Sequence, residues 1–199
     1  MYNINTTQGF IIGSRPYGEA NRILSIFTRD FGLVSVIASG IRLEKSKLRY
    51  HTVEYSLGEF SMVKGKEFWR LTSSFGNRMS KSVKVGKTGL ELVARIALLL
   101  KRLLHGEEEH VELFGILESC ILFLEQDEQV YQITDEQMKT LESVTILRIL
   151  HVLGYIGDNI GFEECLKSRE ITIGLLDNFK DKRTLINQHI NKALRESHL

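Results

Sequence analysis

The hydrophobic pattern of this 199-residue chain changes period once, near residue 88, and the sign of its charge changes at the same place. A side-chain period of two suits strands and one of 3.6 suits helices, so the switch divides the chain into a β part and an α part. Met1 to Thr88 carry 14 Lys+Arg against 6 Asp+Glu, a balance of +8. Gly89 to Leu199 carry the other 12 basic and 19 acidic side chains, a balance of −7. The formal charge of +1 and the pI of 7.8 conceal these two halves. A basic half calls for an anionic partner, most often nucleic acid, and attracts it without needing a pocket.

The first 75 residues read as five short strands. Gly9-Phe-Ile-Ile-Gly-Ser14 is apolar and ends at a turn on Arg15-Pro16-Tyr17-Gly18. Ile23 to Thr28 follows, and Arg29-Asp-Phe-Gly32 connects it to Leu33–Ile37, with Gly32 free to take the positive φ of a tight turn. Ser39 to Tyr50 is a long basic stretch. Tyr55–Val63 alternates apolar and polar residues, Lys64-Gly65-Lys66 turns the chain, and Phe68–Phe75 is the last strand. Five strands, Gly-bearing turns and one long basic loop fit a closed OB-fold β-barrel over residues 1–80.

Residues 88–199 read as an all-α helical domain, which makes the whole an α+β chain in two parts. Thr88-Gly-Leu-Glu91 has the form of a capping box for a helix over about 90–104. Glu107-Glu-Glu109 has the acids that favour a helix start, for a helix reaching about Gln126. Thr134-Asp-Glu-Gln137 is a second capping box, and Gly154 is the stop for the helix it begins. An amphipathic helix is expected near Leu185–Leu194.

Several patterns have simple explanations. Gly86-Lys87-Thr88 lacks the glycine five positions earlier that a phosphate loop needs, where Lys81 stands, so a chance triplet accounts for it. His105 and His110 flank three glutamates without the spacing of two ligands on one helical face. Cys120 and Cys165 stand 45 positions apart with no CxxC, which predicts buried, reduced thiols. No Ser/His/Asp or paired-carboxylate spacing stands out. The longest aliphatic run, Ile96–Leu100, falls far short of the ~20 residues that span a bilayer. Together with a start that has no leader pattern, these features predict a cytoplasmic, non-enzymatic protein with no metal and no cofactor.

The strongest chemical signal is Arg42, Lys45, Lys47 and Arg49 with Tyr50 beside them. Further cations on strands and turns (Arg15, Arg22, Lys64, Lys66, Arg70, Arg78, Lys81, Lys84) lie among the aromatics Tyr17, Phe60, Phe68 and Trp69. Cations that track a phosphate backbone and rings that stack on bases hold single strands without sequence preference.

The stretch Gly13-Ser-Arg-Pro-Tyr-Gly-Glu-Ala-Asn-Arg-Ile-Leu-Ser-Ile-Phe-Thr-Arg-Asp-Phe-Gly32, with Ala38-Ser-Gly-Ile-Arg42 and Lys45-Ser-Lys47 after it, resembles the N-terminal region of the bacterial RecO recombination mediators. Leu150-His-Val-Leu-Gly-Tyr155 extends the resemblance into the helices. The resemblance implies an OB domain followed by helices, acting in DNA repair. It implies binding to single- and double-stranded DNA, annealing of complementary strands, and recombinase loading. The implied protein partners are RecR and the acidic C-terminal tail of single-strand-binding protein. Arg15, Arg42, Lys45, Lys47 and Arg49 fall in the resembling loops; Lys64, Lys66 and Arg70 are added from their chemistry. The tail would be met by a shallow apolar groove edged by Arg95, Lys101, Arg102 and Arg148, which otherwise read as surface charges flanking the core. The chain departs from the family at Ser39, where many members have Lys, and at Cys165, which stands where many have four zinc-binding cysteines. An interaction adaptor, with the barrel as a docking module, is the alternative.

Overall fold

A computed structural model describes residues 3–76, 86–125, 133–158, 161–168 and 170–197. Five strands, β1 (Ile4–Tyr17), β2 (Asn21–Thr28), β3 (Gly32–Ala38), β4 (Leu57–Val63) and β5 (Trp69–Phe75), close into a barrel in the order β1-β2-β3-β5-β4. Every neighbouring pair is antiparallel except β3 and β5. This is the OB barrel that the strand pattern predicts. Alternation fills it: Leu24 pairs with Val36 and Ile26 with Val34, and all four point inward with Ile11, Phe60, Met62 and Trp69.

β1 is longer at both ends than its apolar run predicts. Its first half pairs with β4, from Ile4↔Val63 to Phe10↔Leu57, and its second half with β2, from Gly9↔Thr28 to Tyr17↔Asn21. A bulge between Ile11 and Gly13 turns the strand from one partner to the other, the device by which a sheet bends into closure. Pro16 does not end the strand: beyond Phe10 only β2 flanks it, so its missing N–H breaks no second ladder. Gly9 is an interior position where a Cβ would lie 2.7 Å from Ile26 Cγ2 and 2.9 Å from Phe60 Cδ2.

The β2–β3 turn is held by Thr28. Its buried hydroxyl accepts from the Phe31 N–H (3.1 Å) and donates to the Gly32 carbonyl (2.8 Å). Gly32 adopts φ +65°, as its turn requires, and a Cβ there would lie 2.1 Å from the Glu108 carbonyl oxygen. The Leu33 N–H donates to Gly106 (3.2 Å), so the 106–108 segment lies against this end of β3.

Six helices are described: α1 (Gly86–Leu103), α2 (Val111–Glu125), α3 (Asp135–Val152), α4 (Glu163–Lys167), α5 (Ile173–Lys180) and α6 (Arg183–Glu196). The chain forms two compact units: Met1–Gly86 with Val93–Val111, and Lys87–Leu92 with Glu112–Leu199. In the first, the outer face of β1 and β2 also buries Phe10, Ile12, Ile23 and Phe27, and the helical segment of that unit buries Ile96, Leu100 and Leu103. In the second, α4, α5 and α6 all pack on α3. The Thr134 box forms in full: Thr134 Oγ1 accepts from Gln137 N (3.2 Å) and Gln137 Oε1 accepts from Thr134 N (3.0 Å). Gly154, at φ +78°, follows the end of α3, and its N–H donates to His151.

Two predicted helix starts differ. α1 begins at Gly86, which places Thr88 inside its first turn, and Glu91 faces Lys87 (3.8 Å) instead of closing a box. Glu107–Glu109 precede α2 instead of opening it, because Glu107 is drawn to the barrel, as described below. Arg78, Lys81, Lys84 and Gln126 lie outside the described residues.

Gly32→Ala introduces both an unfavourable φ and a backbone clash, and it is expected to destabilise the protein by roughly 1–3 kcal/mol. Urea unfolding followed by the fluorescence of the single tryptophan, Trp69, measures it; an unchanged midpoint would show that the turn relaxes freely.

Candidate nucleic-acid interface

The basic β3–β4 connection is an ordered feature of the barrel rather than a loose loop. Two apolar side chains seven positions apart pin it down: Ile41 is part of the interior cluster and Leu48 packs against that cluster. Between and beyond them, Arg42, Lys45, Lys47 and Arg49 are all exposed. The Gly40 N–H donates to Asn21 Oδ1 (2.8 Å) and the Arg42 N–H to the Ala20 carbonyl (3.0 Å), which tie its start to the β1–β2 turn. Lys47–His51 forms one 3₁₀ turn against β5, closed by the Thr52 hydroxyl, which donates to the Leu48 carbonyl (2.7 Å).

Three basic segments meet around the β1–β2 turn. Arg42 Nη1 donates to the Gly18 carbonyl (3.3 Å), joining the β3–β4 connection to it. Tyr17 lies against Phe68, with ring centroids 6.3 Å apart, which joins the β4–β5 hairpin that carries Lys64 and Lys66. Arg15, two residues before Tyr17, is exposed on β1, and Arg70 is exposed on β5 beside Ile37. Among the described residues, Arg15, Lys45, Lys47, Arg49, Lys66 and Arg70 have no carboxylate within salt-bridge distance. Unneutralised cations on the strands and loops of an OB barrel form a surface that attracts polyanions.

Lys64 differs. Its Nζ donates to Glu107 Oε2 (2.7 Å) and lies 5.6 Å from the Trp69 ring centre, so a carboxylate already balances its charge. Trp69 Nε1–H donates to the other oxygen of Glu107 (2.9 Å). Trp69 is 4% exposed, and Phe60 is wholly buried, which makes both rings barrel interior and neither a platform. Partial burial pushes the Glu107 carboxyl up, but the two hydrogen bonds and the Lys64 charge hold it below its ordinary value. No sequence signal points to this contact, since Glu107 stands 38 residues from Trp69 and 43 from Lys64. The Ile41/Leu48 anchoring, in contrast, is visible as two apolar residues within a basic run.

The predicted partner-binding cations separate. Arg95, Lys101 and Arg102 lie on α1, exposed, with Leu98 exposed among them. Arg148 is no groove edge: at 2% exposure it is inside the second unit. Its Nε donates to the Cys165 carbonyl (2.7 Å), a bond that holds α4 to α3 and fixes the guanidinium in the core. Burial lowers the pKa of Arg148, and the nearby Cys165 works against that shift. Burial also raises the thiols: Cys120 to about 11, and Cys165 upward as well. Both thiols are buried and far from the thiolate form at neutral pH, which makes them poor nucleophiles. Among the described residues, no helix is long and apolar enough to cross a membrane.

Residues 1–75 match the family model described as Recombination protein O N terminal. A DNA repair protein RecO from Rubrobacter xylanophilus is 30% identical over 159 residues, which cover 80% of this chain and 61% of that protein. The RecO of Clostridium perfringens is 27% identical over 161 residues, 79% of this chain and 60% of that one. The RecO of Chlorobium phaeobacteroides is 28% identical over 152 residues, 75% and 55% respectively. The chain thus spans about 60% of the length of the first two relatives.

A carboxyl whose pKa falls on folding adds stability above its unfolded pKa, and that stability is lost as the pH drops through the folded value. Glu107 therefore stabilises the barrel fully at neutral pH and loses this role on acidification below its ordinary 4.5. Wild type is expected to unfold at higher urea than Glu107→Gln at about pH 7, and the gap should close towards about pH 3. A gap that does not change with pH would mean the carboxylate charge is irrelevant.

Proposed function

This chain is of the RecO type, and from that premise we propose that it is a non-enzymatic DNA-repair mediator that binds and anneals single-stranded DNA. The observation that carries the reading is the set of exposed, unneutralised cations gathered by the β1–β2 turn, the β3–β4 connection and the β4–β5 hairpin. Lysines and arginines on phosphates release counterions and lower the repulsion between two strands, which lets complementary segments meet without covalent chemistry. The barrel, residues 1–80, serves as the DNA-binding domain, and the helices of 88–199 as the domain for protein partners. RecR, double-stranded DNA and assisted loading of a recombinase belong to the same proposal, as does work at the cytoplasmic nucleoid. Arg15, Arg42, Lys45, Lys47, Arg49, Lys66 and Arg70 are the proposed contacts. Lys64, paired with Glu107, contributes less.

A second surface has its own support. On α1, Arg95, Leu98 and Arg102 follow helical spacing on one face with Lys101 adjacent, and Leu98 is 60% exposed. An apolar spot ringed by cations suits a short acidic peptide that ends in an apolar residue and a carboxylate, the chemistry of a single-strand-binding protein tail.

Changing Arg42, Lys45, Lys47 and Arg49 together to Ala is expected to weaken binding to every DNA sequence and to flatten the salt slope by up to ~3–4 units. Fluorescence anisotropy across a salt series measures both, and unchanged affinity and slope would move the DNA surface elsewhere.

A tail peptide is expected to bind with micromolar Kd, about −8 kcal/mol, and to weaken with salt and in Lys101→Glu/Arg102→Glu. Calorimetry tests this: an absence of binding at low salt, or binding that the double variant leaves intact, would dismiss the α1 site.

A further inference from the structure

Glu107 belongs to the same compact unit as the barrel and sits on a segment fixed by its backbone. The Leu33 N–H donates to the Gly106 carbonyl (3.2 Å), Gly106 turns the chain at φ +82°, and the Glu108 backbone leaves no room for a Cβ on Gly32. This segment delivers one carboxylate to the β4–β5 hairpin. Glu107 Oε2 accepts from Lys64 Nζ (2.7 Å) and Glu107 Oε1 accepts from Trp69 Nε1–H (2.9 Å). The two partners differ in burial. Trp69 is 4% exposed, whereas the Lys64 and Glu107 side chains are 63% and 41% exposed. An ion pair so open to water contributes little stability, so a second anion can displace it. Lys66, two residues beyond Lys64, is exposed and has no carboxylate within salt-bridge distance among the described residues.

We propose that Glu107 is an internal competitor of DNA, a carboxylate that occupies Lys64 until a phosphate displaces it. This rests on the DNA-binding reading and adds how that surface is regulated. A carboxylate and a phosphate offer an ammonium the same things, negative charge and acceptor lone pairs. DNA therefore gains Lys64 only by returning one oxygen of Glu107 to water. Trp69 makes the exchange reversible. Its buried N–H keeps the other oxygen, so the carboxylate remains beside the hairpin and recaptures Lys64 when the strand leaves. A phosphate contact made at the expense of an internal ion pair adds less affinity than one made by a free lysine. It also adds less to the salt slope, because the released carboxylate attracts a counterion of its own. The device weakens the grip on DNA and speeds its release.

The test is a double-variant cycle of wild type, Glu107→Gln, Lys64→Ala and the pair together, by anisotropy with an oligo-dT strand over a salt series. Removing the competitor predicts that Glu107→Gln binds about two- to fivefold more tightly than wild type, the range of an exposed ion pair. Its salt slope should steepen by up to ~0.7 units, one phosphate contact on a single strand. In the Lys64→Ala background the same change should have no effect on either quantity. Circular dichroism checks that each variant is folded. A second measurement needs only wild type: Lys64 lies 5.6 Å from the Trp69 ring centre, so its departure should change Trp69 emission at saturating DNA. If Glu107→Gln brings no gain, or wild-type emission stays constant at saturation, the competition is wrong and the DNA-binding reading survives. A gain that persists without Lys64 would mean that the carboxylate repels DNA only through its general field, which also overturns the exchange. If wild type binds no oligonucleotide at low salt, both readings fail.

Discussion

Closure of the barrel at the β3–β5 seam determines where every functional loop emerges. The seam is short: its parallel register rests on Val36↔Trp69 and Ile37↔Arg70. Such a seam needs support from side chains, and Trp69 supplies it. Its indole packs against Phe31 with centroids 5.0 Å apart, and its N–H is satisfied by Glu107, so a large ring is buried without an unpaired donor. The same carboxylate holds Lys64 at the β4–β5 hairpin. One contact thus links the closing strands, the hairpin beside them and the segment that follows α1.

The barrel also explains why a basic sequence run becomes a surface. Ile41 and Leu48 act as two pegs in the apolar interior, and the residues between and beyond them face solvent because the pegs face inward. Arg42 then reaches the β1–β2 turn, and Tyr17 reaches the β4–β5 hairpin, so cations far apart in the chain end up on neighbouring loops. Local charge density at such a surface exceeds what the formal charge of +1 indicates.

Arg148 gives the opposite lesson. A lone arginine on a helix reads as a surface charge, since arginines are rarely fully buried without a partner. Here the carbonyl of Cys165 provides a partner for Nε, and the guanidinium remains inside. The acceptor is a backbone atom, which no side-chain pattern announces.

Local physics was legible in the sequence. Alternating residues built the five strands, Gly32 took its positive φ, Thr134 and Gln137 closed their box, and Gly154 ended α3. The resemblance to RecO rested on turn residues, and those residues lie in the barrel that the family model covers. What depended on pairing between distant segments was not legible. β1 outran its apolar run because two different strands share it, and Glu107 left its predicted helix start because Trp69 and Lys64 offered better partners. Thr88 lost its capping role because the helix began earlier, at Gly86. A sequence specifies periodicity and local hydrogen-bonding capacity within a few residues. Which charge is neutralised, which ring is buried and which cations share a surface are decided only when the tertiary fold brings separate segments into contact.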